Sequence, residues 1–143
     1  FKNVRPLLID YLNKKYLSHF RGLRVGSYLL YKYKFTSQVS SYYELISNEV
    51  SKNTRSKILF EGKVSVSFPK FDLNESTYDY HEFLEIIHYI RYSDYGFNEN
   101  LIRLKGLIEE KQLTNHHLKI YMQHYNGNRL NYMKLYLDRL LKE

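Results

Sequence analysis

Apolar spacing alternates between helical and strand-like periods through the first half of the chain, then stays helical to the end. Over 6–20, Leu8, Leu12 and Tyr16 recur four residues apart, with Leu7, Tyr11, Leu17 and Phe20 beside them. This predicts an amphipathic helix, and Pro6 suits its first turn. Gly22 and Gly26 bracket a basic stretch, 21–26, that reads as a loop. Over 27–36, Leu29, Tyr31, Tyr33 and Phe35 alternate with Leu30, Lys32, Lys34 and Thr36, and a period of two with aromatics predicts a strand. Helical spacing returns over 38–50 through Val39, Tyr42, Tyr43, Ile46 and Val50, with Ser41 and Glu44 placed to close a capping box. A polar turn over 51–55 leads to a hairpin over 57–68. There Ile58, Leu59 and Phe60 precede a Glu61-Gly62 turn, Val64, Val66 and Phe68 follow it, and Pro69 ends it.

A polar link over 70–76 is the best internal boundary, and everything after it reads as helix. Tyr80, Phe83, Leu84, Ile87 and Ile90 predict a helix near 77–93 that stops before Gly96. Asn98 caps a helix built on Leu101, Leu104, Leu107 and Ile108. Thr114 or Asn115 caps another built on Leu118, Tyr121, Met122 and Tyr125. After Asn126-Gly127, a last helix uses Leu130, Met133, Leu137, Leu140 and Leu141. The expected fold is α+β, mainly helical: an N-terminal helix plus a small antiparallel sheet in the order α-β-α-β-β, followed by a C-terminal bundle of about four helices. Neither half buries much alone. Residues 1–143 are therefore expected to form a single domain with one shared core, sub-divided into a basic α/β half (1–70) and a helical half (71–143).

Composition narrows the classes. No apolar run approaches the roughly 18 residues of a membrane span, so no membrane insertion is expected, and no signal peptide is visible. The chain opens at Phe1 rather than Met, which suggests a processed form, a fragment or late numbering. With no cysteine, disulfides, thiolate metal sites and cysteine nucleophiles are excluded together. Alanine is also absent while Lys, Asn, Ile, Tyr and Phe abound, the mark of an AT-rich gene. An intracellular setting follows as an expectation: an organelle such as the mitochondrion, a virus or phage, or an AT-rich microbe. Such coding inflates Lys and Tyr everywhere, so the position of the charge is more informative than its amount.

That position is uneven. Residues 1–35 hold eight bases against one acid, which equals the +7 of the whole chain. Residues 71–110 hold three bases against nine acids, and residues 111–143 six against two. A concentrated cationic field points to a polyanion. Lys14, Lys15, Arg21, Arg24, Lys32 and Lys34 would meet phosphates, and Tyr28, Tyr31 and Tyr33 would meet bases. The alternation fits a second use equally, with Tyr31, Tyr33 and Phe35 packed inward and the cations left as the contact surface. The acidic zone would hold a protein neighbour or pair with the bases inside the fold.

Other chemistry is weaker. Helix 38–50 before a hairpin resembles part of a winged-helix layout, and the last two helices resemble a helix-turn-helix; either would make a DNA binder. His81 with His88, and His117 with His124, are each seven residues apart, two turns and about 10 Å, too far to share a metal within one helix. They read as surface or boundary histidines. Asp79, Glu82 and Glu85 sit near a helix start, where the dipole favours acids and water solvates them. No phosphate loop or nucleophile triad is present, so no catalytic residue, metal or cofactor is expected. The resulting expectation is a non-enzymatic nucleic-acid-binding protein, RNA before DNA, as in a ribonucleoprotein particle such as an organellar ribosome. The alternative is a phage- or virus-type interaction module that engages a host protein.

Overall fold

The computed structural model describes residues 6–53, 56–60 and 62–141. Lys2 and Arg5, the end of the polar turn at 54–55, Glu61 of the hairpin turn and the side chain of Leu7 lie outside the described residues. Helix α1 (Pro6–Leu12) runs into a π-helical turn (Asn13–Leu17) and a 3-10 turn (Ser18–Phe20). The predicted helix over 6–20 is thus present only as far as Leu17: Ser18 is extended at ψ 152°, and His19 and Phe20 take positive φ, 58° and 60°, so the last turn leaves the helix. It buries Leu12 and Tyr16, four residues apart, on one face.

The segment predicted as a basic loop is strand β1 (Gly22–Val25). Its glycine answers to crowding: a Cβ on Gly22 would stand 1.8 Å from the Tyr16 carbonyl oxygen. Gly26, at φ +81°, then turns the chain into α2 (Ser27–Lys32).

Here the predicted strand over 27–36 is replaced by a helix. Leu29 and Leu30 are adjacent and both fully buried, which a half-exposed strand cannot arrange and a helix can. The alternating tyrosines that suggested a strand do not share a face: Tyr31 is exposed and Phe35 is in the core. The helix ends in a Schellman motif. Lys34 takes left-handed backbone at φ 67°, its N–H donates to Tyr31 O at 3.1 Å, and Phe35 N–H donates to Leu30 O at 2.7 Å. Phe35 and Leu30 are both core residues, the apolar contact that accompanies this ending.

The predicted helix over 38–50 is also replaced. Residues 37–42 form no regular element, and 43–47 form β2 (Tyr43–Ser47). The hairpin over 57–68 stands, as β3 (Lys57–Leu59) and β4 (Val64–Ser67). The sheet order is β1-β2-β4-β3. β1 pairs antiparallel with β2 and β3 with β4, as expected of a small antiparallel sheet, while β2 and β4 run parallel. β2 is central and covered on both faces. Ile46 joins Leu23 and Val25 in the main core, and Leu45 joins Val64, Val66, Leu12 and Tyr16 on the opposite side. A strand buried on both faces shows no alternation, which is why its sequence mimics a helix.

The four C-terminal helices appear in the predicted order: α3 (Tyr78–His88), α4 (Phe97–Lys111), α5 (Asn115–Met122) and α6 (Gly127–Leu140), but α4 begins after Gly96, so Asn98 lies inside it and is not its cap. A 3-10 turn (Ile90–Tyr92) follows α3, and α4 ends in a second Schellman motif, with Gln112 left-handed and Leu113 N–H donating to Ile108 O at 3.0 Å. The architecture is therefore mainly helical α+β. The main core draws Leu23, Leu29, Leu30, Phe35 and Ile46 together with Phe83, Ile87, Leu104, Met133 and Leu137, so both halves of the chain contribute to it. α3 is the axis of the molecule, packing against β1, α2, α5 and α6.

Candidate nucleic-acid interface

The six cations singled out in the first 35 residues divide into two groups. Three are tied to other segments of the chain. Arg21 pairs with Glu49. Arg24 projects from β1 and lies between the rings of Tyr28 and Tyr43, 4.1 and 3.6 Å from their centroids. Its guanidinium donates to Ser40 O and Tyr42 O at 3.2 and 3.4 Å, and burial lowers its pKa. Arg24 thus pins the 37–42 segment to the sheet. Lys32 donates to Glu82 at 2.8 Å.

The other three face solvent. Lys14 is within 3.9 Å of Asp10, an exposed pair worth little. Lys15 stands 5.7 Å from the Tyr16 ring. Lys34 is exposed on its left-handed turn. The π turn that carries Lys14 and Lys15 packs on β1 and β2, whereas α2, which leads to Lys34, packs on α3 and β1. The linear segment 14–34 is therefore split between different supports.

The three tyrosines divide as well. Tyr28 packs on Arg24 and the core, and Tyr33 donates its hydroxyl to Glu82 at 2.6 Å. Tyr31 is 41% exposed and open to a ligand.

Lys32, Lys34 and Tyr31 come together at one open cleft of about 530 Å³, lined also by Asp94 and Tyr95 from the turn after α3. Tyr95 is 39% exposed, and the Arg103 guanidinium lies 4.1 Å from its ring centroid. Arg103 donates to Glu99 at 3.0 Å and to the Lys34 carbonyl at 3.3 Å, joining α4 to the cleft wall. Asp94 accepts from the Thr36 hydroxyl at 3.1 Å and from Ser37 N–H at 3.0 Å. These bonds direct its carboxylate at the loop, and Asp94 N–H donates to Phe35 O at 2.8 Å. The walls are thus fixed by backbone and side-chain bonds, while two tyrosine rings and the Lys34 ammonium stay accessible.

Thr36 also lines a second cleft of about 530 Å³, which contains Tyr42, Glu44, Tyr89, Tyr92 and Arg129. Sequence reasoning missed Tyr92, Tyr95, Arg103 and Arg129, because Tyr92, Tyr95 and Arg103 lie in or beside the acidic zone and Arg129 lies far along the chain. The one available signal was Gly96, read only as the point before which the preceding helix stops.

The acids of α3 differ from expectation. Glu82 and Glu85 are buried instead of solvated, because α3 has neighbours on every side. Burial pushes the Glu82 pKa up, but hydrogen bonds from Lys32, Tyr33 and Lys111 outweigh it and leave it below the ordinary value. Lys111 donates to Glu82 at 3.0 Å and to Asp79 at 3.4 Å. Burial likewise opposes Glu85, while His88, Lys70 and the Tyr125 hydroxyl, which donates at 2.7 Å, hold its pKa down. Of the nine acids in the zone, Glu82 and Glu85 are therefore paired inside the fold, and the other seven are exposed.

His81 is fully buried and not at a boundary. Its Nε2 lies 2.9 Å from Phe71 O and 3.1 Å from Asp72 O. Two carbonyl partners require the proton on that nitrogen. His117 stands at the start of α5, where the Thr114 hydroxyl accepts from its backbone N–H at 3.2 Å. Among the described residues, no three His, Asp or Glu side chains gather as a metal ion would require. No described helix is long and apolar enough to cross a membrane.

No family model, curated protein or solved structure matches this chain.

Proposed function

We propose that the protein is a non-enzymatic nucleic-acid-binding protein that favours RNA, of the kind found in ribonucleoprotein particles. The observation that carries this reading is the cleft at Tyr31, Lys34 and Tyr95, where two exposed rings stand beside an exposed ammonium and Arg103 backs the second ring. Rings accept bases by stacking, and cations accept phosphates. The contact set differs from the linear one: Arg24 and Lys32 are held by partners within the fold, Arg21 is paired with Glu49 at the surface, and Lys14, Lys15 and Lys34 remain for phosphates. A winged-helix mode is disfavoured, since 38–50 contains no helix to read a groove.

The test is a gel shift with single-stranded RNA. Tyr31→Ala and Tyr95→Ala are each expected to weaken binding by about 1–3 kcal/mol, the worth of a stacked base. Lys34→Glu is expected to weaken it further at low salt than at high salt. Unchanged shifts in all three variants would refute the reading. A partner recovered on pulldown that survives nuclease would favour a protein-interaction module instead.

A further inference from the structure

The second cleft differs in chemistry from the first. It sits on the other side of Thr36, between β2 and the end of α3, and has room for one nucleotide. Its floor holds the half-buried Glu44 carboxyl, which lies directly over Gly26: a Cβ there would stand 1.9 Å from Glu44 Oε1. The missing side chain at Gly26 is what lets this carboxyl occupy the cleft. The Tyr89 side chain lines the cleft with Glu44, and burial and then the charge of Glu85 raise the Glu44 pKa. On one wall Arg129 donates to His88 O at 3.2 Å and stands 4.9 Å from the Tyr89 ring, leaving further donors of its planar fork for the cleft. At the rim, Tyr42 and Tyr92 are both exposed, and the Arg91 guanidinium lies 5.0 Å from the Tyr92 ring.

A carboxyl at the bottom, a guanidinium on the wall and flat rings at the mouth match three parts of one ligand. A carboxylate accepts from two vicinal hydroxyls at once, an arginine fork takes a phosphate, and tyrosine takes a base. From this we infer that the cleft binds a ribonucleotide with a free 2′,3′-diol, the chemistry of an RNA 3′ end, with Glu44 on the diol, Arg129 on the phosphate and Tyr92 or Tyr42 on the base. The inference rests on the RNA reading above and specifies which part of the strand this side of Thr36 receives. The preceding nucleotide would then lie at Tyr31 and Tyr95.

The experiment uses the full chain and a short 5′-labelled oligouridine in two forms, one ending in the normal diol and one in a 2′,3′-dideoxy nucleotide, with free uridine monophosphate as competitor. The diol oligomer is expected to bind about tenfold tighter than the dideoxy oligomer, the worth of a charge-assisted hydrogen bond. Glu44→Gln is expected to shrink that ratio to below about threefold. Because the comparison of oligomers is made on the wild-type protein, misfolding of the variant cannot decide it. Equal binding of the two oligomers overturns the inference and leaves RNA binding standing. Binding of neither overturns both. Competition by the free nucleotide as strong as by the diol oligomer keeps the diol chemistry but overturns the assignment to an RNA end.

Discussion

The Glu82 carboxylate receives Lys32, Tyr33 and Lys111 at 2.8, 2.6 and 3.0 Å, and so joins α2, α3 and α4 through one buried group. Glu82→Gln removes the charge and leaves Lys111, itself largely buried, with the longer ion pair to the exposed Asp79 at 3.4 Å in place of its buried one. A loss of about 2–4 kcal/mol is expected, read from urea midpoints. The pH dependence has a definite sign. Glu82 and Glu85 titrate below their ordinary 4.5 in the folded state, so their contribution is present above that pH and is lost as pH falls below it. Burial lowers His81 beneath 6.5, so its protonation favours the unfolded chain and stability begins to decline below pH 6.5. For Lys32, burial works against the charge, but Glu82 prevails and raises the pKa above 10.5, so its contribution persists through neutrality and is lost in strong alkali. Urea midpoints are expected to fall first below pH 6.5 and then more steeply below 4.5. If the first decline survives in His81→Gln, it belongs to another group. None of these roles was readable from spacing: Lys32 and Glu82 are fifty residues apart, and only the packing of α2 on α3 makes them partners.

Among the elements, α3 through α6 were legible because long amphipathic periods with capping residues admit few other readings. Thr114 caps α5 as the sequence indicates. The β3–β4 hairpin was legible from clean alternation on Val64 and Val66. The 21–50 region misled for physical reasons. Its glycines serve close approach to Tyr16 and Glu44, its helix α2 is only six residues long, and its central strand is buried on both faces. The turn that ends α2 supplies a test. Lys34 is left-handed, a conformation glycine adopts without steric cost. Lys34→Gly is expected to raise stability by up to about 1 kcal/mol while weakening RNA binding. A variant that is both less stable and equally able to bind would contradict the placement of Lys34 as a binding residue on a strained turn.

For the molecule as a whole, the +7 charge is less concentrated than the linear sequence implies. Arg24 and Lys32 are bound to partners within the fold, Arg21 is paired with Glu49 at the surface, and acids of the 71–110 zone such as Glu82 and Asp94 are bound to the same N-terminal half. The candidate site was half legible: Tyr31 and Lys34 were named in advance, whereas Tyr95 and Arg103 reach the cleft only through the fold. The revised contact set makes a quantitative difference. Six neutralised phosphates would give a logarithmic salt slope of about −4 to −5, but three or four on a single strand give about −2 to −3. The most direct measurement is therefore the affinity for a labelled single-stranded RNA across a salt series, made with the wild-type protein and with Lys34→Glu. The account predicts a slope of about −2 to −3 that shallows by roughly one contact, about 0.7, in the variant. A slope near zero, or one that Lys34→Glu leaves unchanged, would contradict it.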